Sequence, residues 1–156
     1  DLFVSIHLNA NSNRRRNGVE TFYLDLTDDR YSIKLAAREN ATSEKTISDL
    51  KFILADLALK SNTDDSIHLA GLVQRELVAS LKKFNPQVVD HGVKPALFYV
   101  LMGARMPAIL VECSFISNPL EEKLLEKKSY RKAIASGIHA GIRRFIQERE
   151  ALLDPD

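Results

Sequence analysis

Ala108-Ile109-Leu110-Val111-Glu112 is an unbroken apolar run that ends in a carboxylate. Such a run is expected for a strand buried on both faces, as in a parallel sheet. A glutamate at the end of a buried strand is costly unless it pairs, binds a metal or works as a base. Glu112 is therefore the first candidate for chemistry. The competing reading is a carboxylate that emerges at the sheet edge to cap a neighbouring helix.

The same pattern opens the chain. Asp1-Leu2-Phe3-Val4-Ser5-Ile6-His7-Leu8-Asn9-Ala10-Asn11 begins apolar and turns polar at His7. In an extended strand Ser5, His7 and Asn9 share one face, and Val4, Ile6 and Leu8 the other. Val19–Leu24, rich in β-branched and aromatic residues, reads as a second strand, and Leu97–Leu101 as another. Between these lie helical periodicities over Tyr31–Asn40, Ser43–Lys60 and from Asn62 to Lys83. Ser43 is a plausible N-cap, and Ile47, Leu50, Leu54, Leu57 and Ala58 recur at helical spacing. Asn85–Gly92 reads as a loop. A last helix covers roughly Leu120 to Arg149 with a break near Ser129, and Glu150–Asp156 reads as a frayed tail. Strands interleaved with helices predict one α/β layered domain over residues 1–150, with a mostly parallel sheet flanked by helices.

The composition excludes several classes. At 156 residues, 45% hydrophobic and 28% charged, the chain is long enough for a core and ordinary for a folded domain. A net charge of +1 gives no global field toward nucleic acid. No apolar run approaches the roughly 18 residues of a membrane span. One cysteine, Cys113, allows neither an intrachain disulfide nor a cysteine-only metal site. The chain opens inside a strand and without Met, which fits a fragment or a processed piece. The Arg14–Arg16 run reads as a solvated loop in preference to a grip on an anionic substrate.

Sites in open α/β sheets gather at the carboxyl ends of strands, and two strands here end in capable residues, His7 and Glu112. His68 and His139 fall on helices and read as surface or boundary residues. His91, in a loop before Gly92, is left open. No HExxH, GxSxG, phosphate loop or GxGxxG is present, which weakens serine-hydrolase and nucleotide-enzyme readings.

Four blocks then occur in order: Asp1–Asn11, Gly18-Val-Glu-Thr-Phe-Tyr-Leu24, Gly92-Val-Lys94, and Met106-Pro-Ala-Ile-Leu-Val-Glu112-Cys-Ser-Phe-Ile-Ser-Asn118-Pro-Leu-Glu-Glu122. Together they resemble the zinc-dependent N-acetylmuramoyl-L-alanine amidases, bacterial hydrolases of peptidoglycan that act in cell-wall turnover and cell separation. The resemblance implies that His7 is a zinc ligand and Glu112 the catalytic acid/base. It also implies that a second His and a Glu complete the site from an upstream strand and helix, so the fold is truncated at the N-terminus. Residues 1–156 alone are then expected to bind zinc poorly and to be inactive. Cys113 stands where the family usually has Thr or Gly, and reads as a buried filler with a raised thiol pKa.

The resemblance further implies a peptidoglycan substrate, a protein activator, and a place in the periplasm, cell envelope or outside the cell. Some members carry an inserted helix that occludes the zinc cleft. Ser43–Lys60, with Glu44, Asp49 and Asp56, is a candidate, although its regular stripe favours an ordinary packing helix. A truncated sheet exposes an edge that invites self-association. Another zinc amidohydrolase or carboxypeptidase, and a non-catalytic cell-wall binding module, are the competing functions.

Overall fold

The computed structural model describes residues 1–54 and 62–153. They form a four-stranded sheet in the order β1-β4-β2-β3, with β1 at Phe3–Asn9, β2 at Val19–Leu24, β3 at Asp90–Ala96 and β4 at Ala108–Phe115. β1 runs parallel to β4 and β2 parallel to β3, while β4 and β2 are antiparallel. All eight residues of β4 are buried, as its apolar run demands of a strand flanked on both edges and covered on both faces.

Alternation along β4 divides the core in two. Ile109, Val111 and Cys113 face a cluster with α3 (Thr63–Leu81) and α5 (Lys128–Leu153), through Leu69, Val73, Leu77, Ile134 and Ile138. Ala108 and Leu110 face a second cluster with α1 (Arg30–Glu39) and α2 (Glu44–Leu54), through Leu35, Ala36 and Ile47. α1 and α2 start where side chains cap them. Asp29 accepts from Ser32 N at 2.9 Å, and Ser43 Oγ accepts from Thr46 N at 3.0 Å. Of the helix expected over Ser43–Lys60, residues 55–61 lie outside the described residues.

Two helices are held unusually close by glycine. A Cβ at Gly141 would stand 2.5 Å from Val73 Cα, and one at Gly137 would stand 2.8 Å from Leu77 Cα. Both obstacles are backbone, so the absence of a side chain on this side of α5 lets it lie directly on α3.

Three expectations change. The strand expected at Leu97–Leu101 is displaced to Asp90–Ala96, inside the stretch read as a loop. β3 is an edge strand, so the missing N–H of Pro95 costs it no ladder bond. Leu97, Phe98 and Leu101 are apolar because they are buried beyond the strand, around a short 3-10 turn at Tyr99–Leu101. Asn40 clamps this turn, donating to Leu97 O at 2.7 Å and accepting from Tyr99 N at 2.8 Å. The long last helix is two: α4 (Pro119–Glu126) ends at Lys127, whose ψ of 122° is extended. The final helix also continues through Glu150 to Leu153 instead of fraying there.

β1 is the other edge. Ile6 is 60% and Leu8 43% exposed, on the face where Val4 packs against the α3–α5 cluster.

Candidate active site

The register aligns three polar side chains across three strands. His7 on β1 pairs with Glu112 on β4, and Glu112 pairs with Glu20 on β2. Directly paired residues project to the same face of a sheet. The row His7–Glu112–Glu20 therefore lies on the face that α1 covers, away from the Cys113 side.

Each member has a different environment. Glu112 is fully buried, and neither of its carboxylate oxygens has a hydrogen-bond partner among the described residues. Burial first, then the negative charges of Glu39 and Glu20, push its pKa up to about 8, against the opposing pull of Arg38. A carboxyl group titrating near neutrality can take and return a proton.

Glu20 is equally buried but saturated. Its Oε1 accepts from Asn9 Nδ2 at 2.6 Å and from the Tyr31 hydroxyl. Its Oε2 accepts from Lys94 Nζ at 2.8 Å, with Arg16 Nη2 at 3.6 Å. The Arg16 guanidinium also lies 3.9 Å over the Tyr31 ring. Burial and the adjacent Glu20 raise the Tyr31 phenol, which stays a hydrogen-bond donor.

His7 is half-buried. Its Nδ1 lies 3.2 Å from Glu39 Oε2 and its Nε2 2.9 Å from Ser5 Oγ. Glu39, at the end of α1, is in turn held by Arg38, whose Nη2 is 3.0 Å from Glu39 Oε1 and whose other bonds reach Asn9 Oδ1 and Ala10 O.

The Ser-Asn-Pro-Leu-Glu-Glu motif supports this row from behind. Asn118 caps α4 by accepting from Leu120 N and Glu121 N. Glu121, fully buried, accepts from Phe115 N at 2.6 Å and Gly18 N at 3.0 Å. It thus joins the end of β4 to the start of β2. Gly18 has φ +113°, and a Cβ there would stand 2.1 Å from Val89 O, so only glycine makes this approach.

His7 and Glu112 come together, as the two strand ends suggested. The other histidines do not join them. His91 bonds Asn17 O at 2.8 Å, His68 pairs with Glu148 at 2.7 Å, and His139 is exposed on α5. Cys113 is buried on the opposite face of β4, its thiol pushed up to about 12 by burial and then by Glu112.

Sequence reasoning missed Glu20, Glu39, Tyr31 and Arg38. Glu20 carried a usable signal, since it is the one charged residue in Val19–Leu24. Glu39 carried none, being one of several charges along its helix.

A divalent metal would find donors here but not a complete set. His7 and Glu39 converge on one point, and the unpartnered oxygens of Glu112 lie next to them in the row. Among the described residues no group of three or more His, Cys, Asp or Glu is arranged to hold a metal ion. The imidazole–carboxylate pair suits zinc, so the residues fit that ion as part of a site.

The family profile described as N-acetylmuramoyl-L-alanine amidase matches residues 1–144. The chain is 32% identical over 153 residues to the N-acetylmuramoyl-L-alanine amidase AmiA of Escherichia coli (strain K12), covering 91% of this chain and 50% of that protein. It superposes on the crystal structure of an N-acetylmuramoyl-L-alanine amidase from Clostridium difficile 630 with a TM-score of 0.65 at 30% identity, over 94% of this chain and 58% of that one. The CwlD amidase of Clostridioides difficile, solved in complex with the GerS lipoprotein, matches with a TM-score of 0.61 at 27% identity, over 94% and 54%. The chain thus spans 50–58% of the length of these three proteins.

Proposed function

This chain belongs to the N-acetylmuramoyl-L-alanine amidase family, and from that premise we propose that it hydrolyses the amide between the lactyl group of N-acetylmuramic acid and L-alanine in peptidoglycan. The observation that supports this is the buried, unpartnered Glu112 carboxylate in register beside His7. His7, with Glu39 beside it, would hold zinc. Zinc, when bound, supplies a lowered pKa for water and polarisation of an amide carbonyl.

The chain's own residues do the rest. Glu112 takes a proton from the attacking water at its carboxylate and passes it to the departing amine nitrogen. Glu20, held by Lys94, Arg16, Tyr31 and Asn9, is fixed in place beside Glu112. Arg38 fixes Glu39 and Asn9 on either side of His7. A substrate on this reaction path belongs to the cell envelope, where peptidoglycan lies. Among the described residues no helix is long and apolar enough to cross a membrane.

Two described donors hold zinc more weakly than three. Residues 1–156 alone are therefore expected to bind zinc weakly and to turn over purified peptidoglycan negligibly at zinc levels that saturate a three-ligand site. The product to measure is peptide with a free L-alanine amino terminus. Saturation at trace zinc would overturn the two-donor reading. Release of free C-terminal residues without muropeptide cleavage would favour a carboxypeptidase instead.

Two further parts of the proposal concern partners. The open edge of β1, with Ile6 and Leu8 exposed, supports self-association or cover by a companion segment. The complex of CwlD with GerS supports a protein partner here. α2 bears on that point. Burial of Ile47 against the α1 cluster supports a packing role, although Glu44 and Asp49 are available on its other sides. Deleting residues 43–60 separates the readings: a covering helix gives higher basal turnover, and a packing helix gives a lower melting temperature with turnover unchanged or lost.

A further inference from the structure

The net charge of +1 hides a polarised distribution. Segments 82–87 and 119–132 contain seven lysines and arginines against three glutamates, and one of those glutamates, Glu121, is buried in the β2–β4 tie. The two segments meet in space. They line an open groove of about 750 Å³, whose walls include Phe84, Pro86, Leu120 and Leu124, with Lys123 and Lys127 on its rim. Lys82 and Lys83 directly precede Phe84, and Arg131 donates to Leu125 O and Glu126 O at the end of α4. None of the seven forms an ion pair among the described residues.

Two features of this end work against the isolated chain. The first turns of α5 carry Lys128, Arg131 and Lys132 and no acidic residue in the opening turn, so cations sit at the positive end of a 26-residue helix, where they are unfavourable. Ile116, on the β4–α4 connection, is 47% exposed, and Leu120, in the first turn of α4, is 57% exposed. Unpaired cations beside exposed aliphatic side chains match a surface that is anionic at the headgroup and apolar beneath it. A soluble polyanion would satisfy the lysines but make no use of Leu120 or the apolar groove.

We propose that the face formed by α4, the start of α5 and the Lys82–Gln87 turn docks on an anionic phospholipid bilayer, with Lys123 and Lys127 at the headgroups and Leu120 at the acyl boundary. This face belongs to the α3–α5 side of the sheet. Docking there leaves the His7–Glu112–Glu20 row pointing away from the lipid.

Co-sedimentation of the 156-residue chain with phosphatidylcholine vesicles containing phosphatidylglycerol, and with pure phosphatidylcholine, tests this. Binding to the anionic vesicles is expected to be at least tenfold tighter. The double variant Lys123→Glu, Lys127→Glu should weaken it at least tenfold, and Leu120→Gln severalfold. Lys45→Glu, on α2 across the sheet, should change it less than twofold. All four positions are exposed, so the variants leave the core intact. Equal binding to both vesicle types, or unchanged affinity in the double variant, overturns the proposal. Binding to soluble polyphosphate as tight as to vesicles, indifferent to Leu120→Gln, assigns the face to a phosphate polymer and also overturns it.

Discussion

Glu112 and Glu20 are two buried carboxylates, paired in register, and they differ only in their partners. Four donors saturate Glu20, and none reaches Glu112. That contrast is the reason for proposing Glu112 as the proton-transfer group and Glu20 as its hydrogen-bonded neighbour. Glu112→Gln is expected to lower peptidoglycan turnover by about 10²–10⁴-fold, the usual worth of a general acid/base.

The same substitution has a stability signature in zinc-free protein. The folded pKa of Glu112 is raised from 4.5 to about 8, so its protonated form is favoured by folding. That stabilisation is complete below about pH 4.5 and is lost as pH rises through about 8. Gln cannot ionise and does not lose it. The variant's melting temperature should match wild type in acid and exceed it by several degrees, about 5 °C, near pH 9. An equal or lower melting temperature at pH 9 would show that Glu112 has a partner in solution. His7 and Glu112 were both legible in the sequence, because each interrupts an apolar strand with a group that strands rarely bury. Glu39 was not, because a charge on a helix surface looks alike whether it faces solvent or a histidine.

At the level of elements, composition read well where burial and extension coincide, as in β2 and β4. It misled at 90–101. There the apolar residues Leu97, Phe98 and Leu101 are buried in a turn, while the strand proper is Asp-His-Gly-Val-Lys-Pro-Ala, a half-exposed edge without a strong apolar pattern. The division of the last helix at Lys127 was foreshadowed only approximately, since α4 and α5 share one continuous stretch of helix-forming residues. The α3–α5 contact supplies a prediction at this scale. Gly141→Ala gains helix propensity of about 1 kcal/mol, but its Cβ would strike the Val73 backbone at 2.5 Å. The helices must separate, and the net effect is expected to be a loss of about 1–2 kcal/mol, seen as a lower urea midpoint. A higher midpoint would mean that the contact has slack.

For the molecule as a whole, the asymmetry of the sheet matters most. β3 ends it with polar, half-buried residues and a proline. β1 ends it with Ile6 and Leu8 open to solvent, the kind of edge that pairs with another strand. Ile6→Lys places a charge on that edge without touching the core, and it should raise the monomer fraction in size-exclusion chromatography. An identical elution profile at matched concentration would count against association through β1. The α/β class was legible from alternating elements. The antiparallel contact between β4 and β2 was not, because periodicity records which faces are buried and says nothing of strand direction.

That strand order has a temporal consequence. Among the described residues no two strands adjacent in sequence form a hairpin, and the pair that aligns His7 with Glu112 joins residues roughly a hundred positions apart. Pairing of such distant segments must close a long loop before any contact rewards it, so refolding is expected on a time scale of about milliseconds to seconds, not microseconds. During synthesis roughly a hundred residues separate β1 from its described partner β4, and in that interval its Ile6 and Leu8 are a segment in need of a chaperone.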